Sequence, residues 1–295
     1  MINPVNRFRK SMIWIHRHLW IALSPIFVLW FASGIAIMYA RGMPGLTPRI
    51  RLEHLPPLDL ARVGMTPAEA VEKAGLDTDP DQVVLLMVMD RPAYRFTGRE
   101  SATVFADTGD RLLELGPAGA LRIASTFLNL PPEAFHHAGL LIEADQWTIG
   151  QRDQMPLHRI EADDQAHTEL YVSAKIGEIV VLTTRRSRAL AWIAAIPHWL
   201  YFAPLRLKDA LWTGVVLSVS GLGTILALVS IILGIVQFTP PAPFQLSRIF
   251  GVLFGIFTFT WVLSGMLSMH PLDWASAGNT GDGIPRALSG GDLNL

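Results

Sequence analysis

Residues 11–30 read SMIWIHRHLWIALSPIFVLW and place His16, Arg17 and His18 at the mouth of an apolar run. From Leu19 to Tyr39 that run carries no charge. A helix of about 20 apolar residues crosses a hydrocarbon core of about 30 Å, so this stretch is long enough to span a bilayer. A removable secretory segment has an apolar core of about 7–15 residues and a small-residue cleavage site. The run here is longer and ends at Tyr39-Ala40-Arg41-Gly42, so it is read as a retained first span. Arg17 at the threshold has an ordinary explanation, because cations and aromatic rings settle at the lipid–water boundary. The two imidazoles raise a second one, a ligand for a cofactor held just inside it.

The rest of the composition agrees with a membrane chain. Of 295 residues, 51% are hydrophobic and only 17% charged, which is too apolar for an ordinary soluble protein. The net charge of -1 offers no basic field for nucleic acid. There is no cysteine, which excludes disulfides, thiolate zinc sites, iron–sulfur clusters and covalently attached c-type haem. Nine histidines are then the main source of transition-metal or haem ligands.

Three further stretches compete for the membrane: Ala210–Phe238, Ile249–His270 and the shorter Ala189–Leu205, ALAWIAAIPHWLYFAPL. The last carries two prolines and several aromatics, and its length suits a helix lying at the interface better than a span. Arg7, Arg9, Lys10 and Arg17 before the first span argue for a cytoplasmic N-terminus. Arg206 and Lys208 pull the other way, and if 189–205 spans instead, the C-terminus returns to the inside. The favoured layout is an N-terminus and first span (1–40), two external units (41–115 and 116–188) and an interfacial aromatic helix (189–208). A second span (209–238), a cytoplasmic turn (239–248), a third span (249–270) and a periplasmic tail (271–295) follow.

The external part reads as a tandem repeat. TPAEAVEKAG, 66–75, has Thr66 as N-cap and proline at the helix start, and alternating β-branched stretches follow it. A second unit opens with GALRIASTFL, 119–128, and runs through PLHRIEA to TELYVSAKIGEIVVLT. Val104-Phe105-Ala106 with Gly109 corresponds to Leu170-Tyr171-Val172 with Gly177. Each unit is expected to be a helix on a small antiparallel sheet, the turn glycine supplying a positive φ. Such repeats mark duplicated binding or scaffold modules.

No nucleophile elbow, phosphate-binding glycine loop, HExxH or dinucleotide fingerprint is present. Glu161, Asp163 and Asp164 read as a solvated turn. His54, His158 and His167 read as surface or packing residues, and the adjacent His136 and His137 point apart on regular structure. His16 and His18 lie about 200° apart around a helix, so they cannot face one cofactor together. His198 and His270 fall at the other membrane face. Paired imidazoles from two helices are the usual axial set of a buried haem b, with Arg17 or Arg206 available for its propionates. Interface anchoring is the alternative for all four. Gly251 and Gly255 form a G-x-x-x-G pair for close packing, within the chain or across a homo-oligomer.

Four stretches resemble the PepSY-associated transmembrane family of bacterial inner-membrane, iron-regulated, siderophore-reductase-like proteins. They are WIHRHLWIAL…LWFASGIAIMY, the repeated module ending VFADTGDRLLEL and ELYVSAKIGEIVVLTTR, IPHWLYFAPLR, and FGIFTFTWVLSGMLSMHP. The resemblance implies a membrane α-helical bundle of three spans plus an interfacial helix, with an inserted periplasmic α+β domain of two PepSY-like units. It implies haem held between spans and electron transfer across the bacterial inner membrane in iron acquisition, with a ferric siderophore among the possible partners. His16 matches the histidine of the first-span H-R-x-L motif, and His198 that of the HW-[IL]-YF motif. The third span opens PFQLSRIFGV, without the imidazole usual there, and relatives continue past the point where this chain stops. A shortened member, a fragment and one half of an assembly all remain open. The alternative function is a non-catalytic membrane-anchored module acting on an envelope partner such as a peptidase.

Overall fold

A computed structural model describes residues 4–40, 42–77, 80–236 and 246–269. The chain divides into two compact units, one of α1 through Ile35 with the chain from Pro197 onward, the other Ala36–Ile196.

The first unit is helical. Helix α1 (Pro4–Ala40) carries Pro25 inside it, and α8 (Asp209–Val236) and α9 (Leu246–Leu267) follow late in the chain. Within them Arg7–Ala40, Asp209–Val236 and Ile249–Leu267 are long and apolar enough to cross a membrane. The chain is thus built as a multi-pass membrane protein. Their few hydroxyls return to the helix's own backbone: Ser33 donates to the Leu29 carbonyl, Ser220 to Val216 and Ser230 to Leu226. That arrangement hides polar groups where lipid offers no partner. Small residues bring the helices together. A Cβ on Gly234 would stand 2.6 Å from Val252, one on Gly223 would meet Phe27 and Val262, and one on Gly255 would lie 3.1 Å from Ile231. Gly255 is therefore taken up by packing within the chain, while Gly251 faces open space.

The second unit contains two antiparallel sheets, each backed by a helix. Helix α2 (Pro48–His54) precedes α3 (Pro67–Ala74), which starts in a capping box between Thr66 and Glu69 and ends at Gly75 in the left-handed region. It covers the sheet β1 (Gln82–Val88), β2 (Arg91–Thr97) and β3 (Ala102–Phe105), paired in that order. Ala70 and Ala74 pack there against Tyr94, Phe96 and Val104. Helix α4 (Pro117–Leu128) covers β4 (Phe135–Leu141), β5 (Leu157–Ala162), β6 (Glu169–Ser173) and β7 (Glu178–Thr183), again in chain order. Its Ala120 and Ala124 meet Ile160, Leu170 and Val172.

The two units of the repeat differ at one end of the sheet, since β1, β2 and β3 correspond to β4, β5 and β6. Strand β4 lies over the FHHAGLL stretch not read as a strand. In the first, the counterpart of β7 shrinks to a single bridge between Val104 and Arg111. The β6–β7 turn, whose Gly177 has φ 62°, seats on the first sheet. Arg95 donates to the Ile176 carbonyl at 2.9 Å and pairs with Glu178, and a Cβ on Gly177 would lie 3.0 Å from Leu112.

The aromatic stretch 189–208 is not one helix. It breaks into α5 (Arg185–Ile193), α6 (Ala195–His198) and α7 (Ala203–Arg206). Pro197 and Pro204 remove amide donors, and Leu200 adopts a positive φ of 51°, which a continuous helix does not accommodate. None of the three approaches the length of a span.

Candidate functional site

His198 is the residue around which the helical unit organises a cavity. Its Nδ1 lies 3.1 Å from the Trp30 carbonyl and 3.4 Å from Ser33 Oγ, both on α1. Gly34 makes room for the ring, since a Cβ there would stand 3.0 Å from its Cε1. A carbonyl only accepts, and the Ser33 proton is engaged at 2.6 Å by Leu29. Nδ1 therefore carries the hydrogen, and the lone pair belongs to Nε2. His16 repeats the pattern seventeen positions earlier on α1, or about 26 Å along the helix. Its Nδ1 lies 3.1 Å from Ser230 Oγ on α8, which also stands 2.7 Å from the Leu226 carbonyl. The hydroxyl can accept from that nitrogen or donate to it, so this ring has either tautomer open to it. A lone pair on Nε2, as at His198, is the state in which histidine ligates a metal, with the other nitrogen anchored by an outer partner.

His18 differs. Its Nδ1 bonds the Trp14 carbonyl of its own helix at 2.8 Å, its ring lies 4.3 Å from that of Trp14, and it is exposed. Arg17 is exposed as well, in keeping with an interface anchor. His270 lies outside the described residues, as do Gln245 and the turn around it.

Beside His198 opens a cavity of about 340 Å³, walled by Trp30, Tyr201, Trp212, Val216 and Met269 among others, with Arg206 in its lining. The Trp30 ring lies 5.9 Å from the His198 ring. The Arg206 guanidinium stacks 4.5 Å over Trp212 and 5.6 Å from Tyr201 and pairs with Asp209. An apolar pocket with a few convergent polar groups is the usual form of a ligand site. Its walls are mostly apolar and aromatic, and the His198 imidazole lies among them.

The other unit holds its charges in pairs. Arg91 clasps Asp107 through two bonds of 2.7 and 2.9 Å, and the guanidinium keeps that carboxyl below its ordinary range. Asp164 closes a turn by accepting from Thr168 at 2.6 and 2.8 Å, whereas Glu161 belongs to β5 and pairs with Arg159, so the acidic run is part strand and part turn. No group of three or more histidines and carboxylates stands ready for a metal ion among the described residues.

One constellation escaped the sequence. His158 is buried, and its Nε2 lies 2.5 Å from the Leu115 carbonyl. Nε2 thus holds the hydrogen, so Nδ1 accepts from His137 Nε2 at 2.9 Å. Burial, then repulsion from His158, lowers the His137 imidazole below its ordinary 6.5. The folded form therefore prefers the neutral ring. The contribution is fully present above 6.5 and is lost as pH falls from there through the depressed folded value. Thermal melts of the whole chain are expected to fall between pH ~7.5 and ~5.5, and His137→Asn to flatten that part of the profile. An unchanged slope in the variant removes the pair from the account.

No family model, curated protein or solved structure matches this chain.

Proposed function

We propose that the protein is a haem-linked electron-transfer protein of a bacterial inner membrane, serving iron acquisition from ferric siderophores, with its repeat domain in the periplasm. The observation that carries the reading is the pair of imidazoles on two levels of the same bundle. Each has its Nδ1 within hydrogen-bond distance of a group on a neighbouring segment. The resemblance of their two motifs to the PepSY-associated transmembrane family supplies the cofactor class.

In this reading His198 is the outer ligand, with His270 as the residue expected to complete it, and His16 serves the inner level. Haem would supply reversible one-electron chemistry between the two faces. Trp30 and Ser33 fix the ring plane of His198, Ser230 does the same for His16, and the aromatic wall keeps water from the outer site. Ferric reduction at the periplasmic face is the activity expected.

The visible spectrum of the protein purified from haem-replete cells tests the proposal. A sharp Soret band with an α band that intensifies on dithionite reduction is the expected result. A folded but colourless protein from such cells leaves the repeat domain as a membrane-anchored binding module for an envelope partner.

A further inference from the structure

Arg185, Arg186 and Arg188 crowd the start of α5. The positive pole of the helix dipole lies there and disfavours cations, and a capping box between Thr184 and Ser187 already closes that end. Arg188 is spent within the domain, on Glu169 at 3.3 Å and Thr183 at 2.7 Å. Glu161 and Glu169 share a recess with Arg185 but are taken by Arg159 and Arg188. Arg185 and Arg186 are exposed, and among the described residues no ion pair engages them.

The far end of the same helix is apolar where it shows. At about 100° per residue, Arg185, Arg186, Ala189, Trp192 and Ile193 fall on one arc of about 120°. All five are exposed, while Ala191 behind them is buried. Trp192 is 50% and Ile193 62% exposed, and Trp147 meets the Trp192 ring edge-on at 6.4 Å. One face therefore carries cations at its start and large apolar groups at its end. The apolar end is the one from which the chain continues into the helical unit at Pro197.

We propose that this face of α5 lies on the bilayer, with Trp192 and Ile193 entering the interface and Arg185 and Arg186 binding the phosphates of anionic phospholipids. Arg185 and Ile193 are about 12 Å apart along the helix, and the headgroup layer is roughly 5–8 Å deep on each side. A modest tilt then sets the arginines among headgroups and the indole at the acyl boundary. Indoles settle at that boundary, and clustered arginines select anionic lipid. The proposal is independent of any cofactor in the helical unit.

The chain has no cysteine, so Ile193→Cys in the full-length protein takes a single environment-sensitive fluorophore. The probe is read in nanodiscs of phosphatidylcholine alone and with added phosphatidylglycerol, with acrylamide as the aqueous quencher. Each arginine near an anionic surface is worth about 1 kcal/mol, so removing two shifts the docked population by roughly thirtyfold. The probe is expected to be shielded in the anionic discs and open to acrylamide in the neutral ones. Arg185→Gln with Arg186→Gln is expected to open it in both. Arg185→Lys with Arg186→Lys keeps the charge and is expected to keep the shielding. If the lysine variant opens as well, the effect is one of helix folding and the proposal fails. Equal access in the two lipids, whether open or shielded, makes the arginines merely solvated and overturns it.

Discussion

Glu178→Ala is expected to destabilise the repeat domain by about 3–5 kcal/mol, the cost of leaving a buried charge without its partner. Arg95 sits on β2 with its side chain 8% exposed, and burial already pushes its guanidinium below the ordinary arginine value. Glu178 is the group that compensates it. Arg51 also reaches Glu178 at 3.2 Å, but a second cation cannot replace the lost carboxylate. The Ile176 carbonyl and the Thr103 hydroxyl would remain beside an uncompensated cation. Hydrogen exchange on β6 and β7 in the full-length protein reads the loss directly. Two comparisons sharpen the test. Arg95→Met combined with Glu178→Leu is expected to recover most of the stability, because an apolar pair needs no counter-charge. Arg49→Ala removes an ion pair whose partners are 87% and 50% exposed, and should stay within about 1 kcal/mol of wild type. A Glu178→Ala protein as protected as Arg49→Ala would mean that water reaches Arg95.

His198→Ala is expected to remove most of the bound haem, His16→Ala a smaller share, and His18→Ala almost none. The ranking follows the surroundings. His198 has a cavity beside it and two α1 groups behind it, His16 has Ser230 alone, and His18 is bound back to its own helix. Haem per protein by pyridine hemochrome measures all three. Equal ratios in the three variants would make these rings membrane anchors and nothing more.

Much of this architecture is legible in the residues. The spans announce themselves by uncharged length, which needs no knowledge of partners. Thr66 with Glu69, and the glycines at 75, 109 and 177, are local signals whose backbone consequences hold wherever the segment lies. His198 was legible as a candidate from its place among aromatics, but not the Ser33 and Gly34 that receive it, because α1 and α6 are brought together only by folding. The His137–His158 pair was hidden for a similar reason. His137 faces Ile160 and His158 faces Leu140, and it takes the irregularity near Gly139 to bring the rings together. The pairing of Arg95 with Glu178 joins residues on different sheets, beyond any spacing rule. The single helix read over 189–208 shows the opposite error, in which composition outweighed two prolines.

The stretch joining the two sheets has a consequence of its own. Leu115 donates its amide to the Ala174 carbonyl at 2.8 Å and gives its carbonyl to His158, so the connector is stitched at both ends of one residue. With the β6–β7 turn seated on the first sheet, the two sheets are held together at more than one place. A partner that grips one sheet therefore moves the other with it.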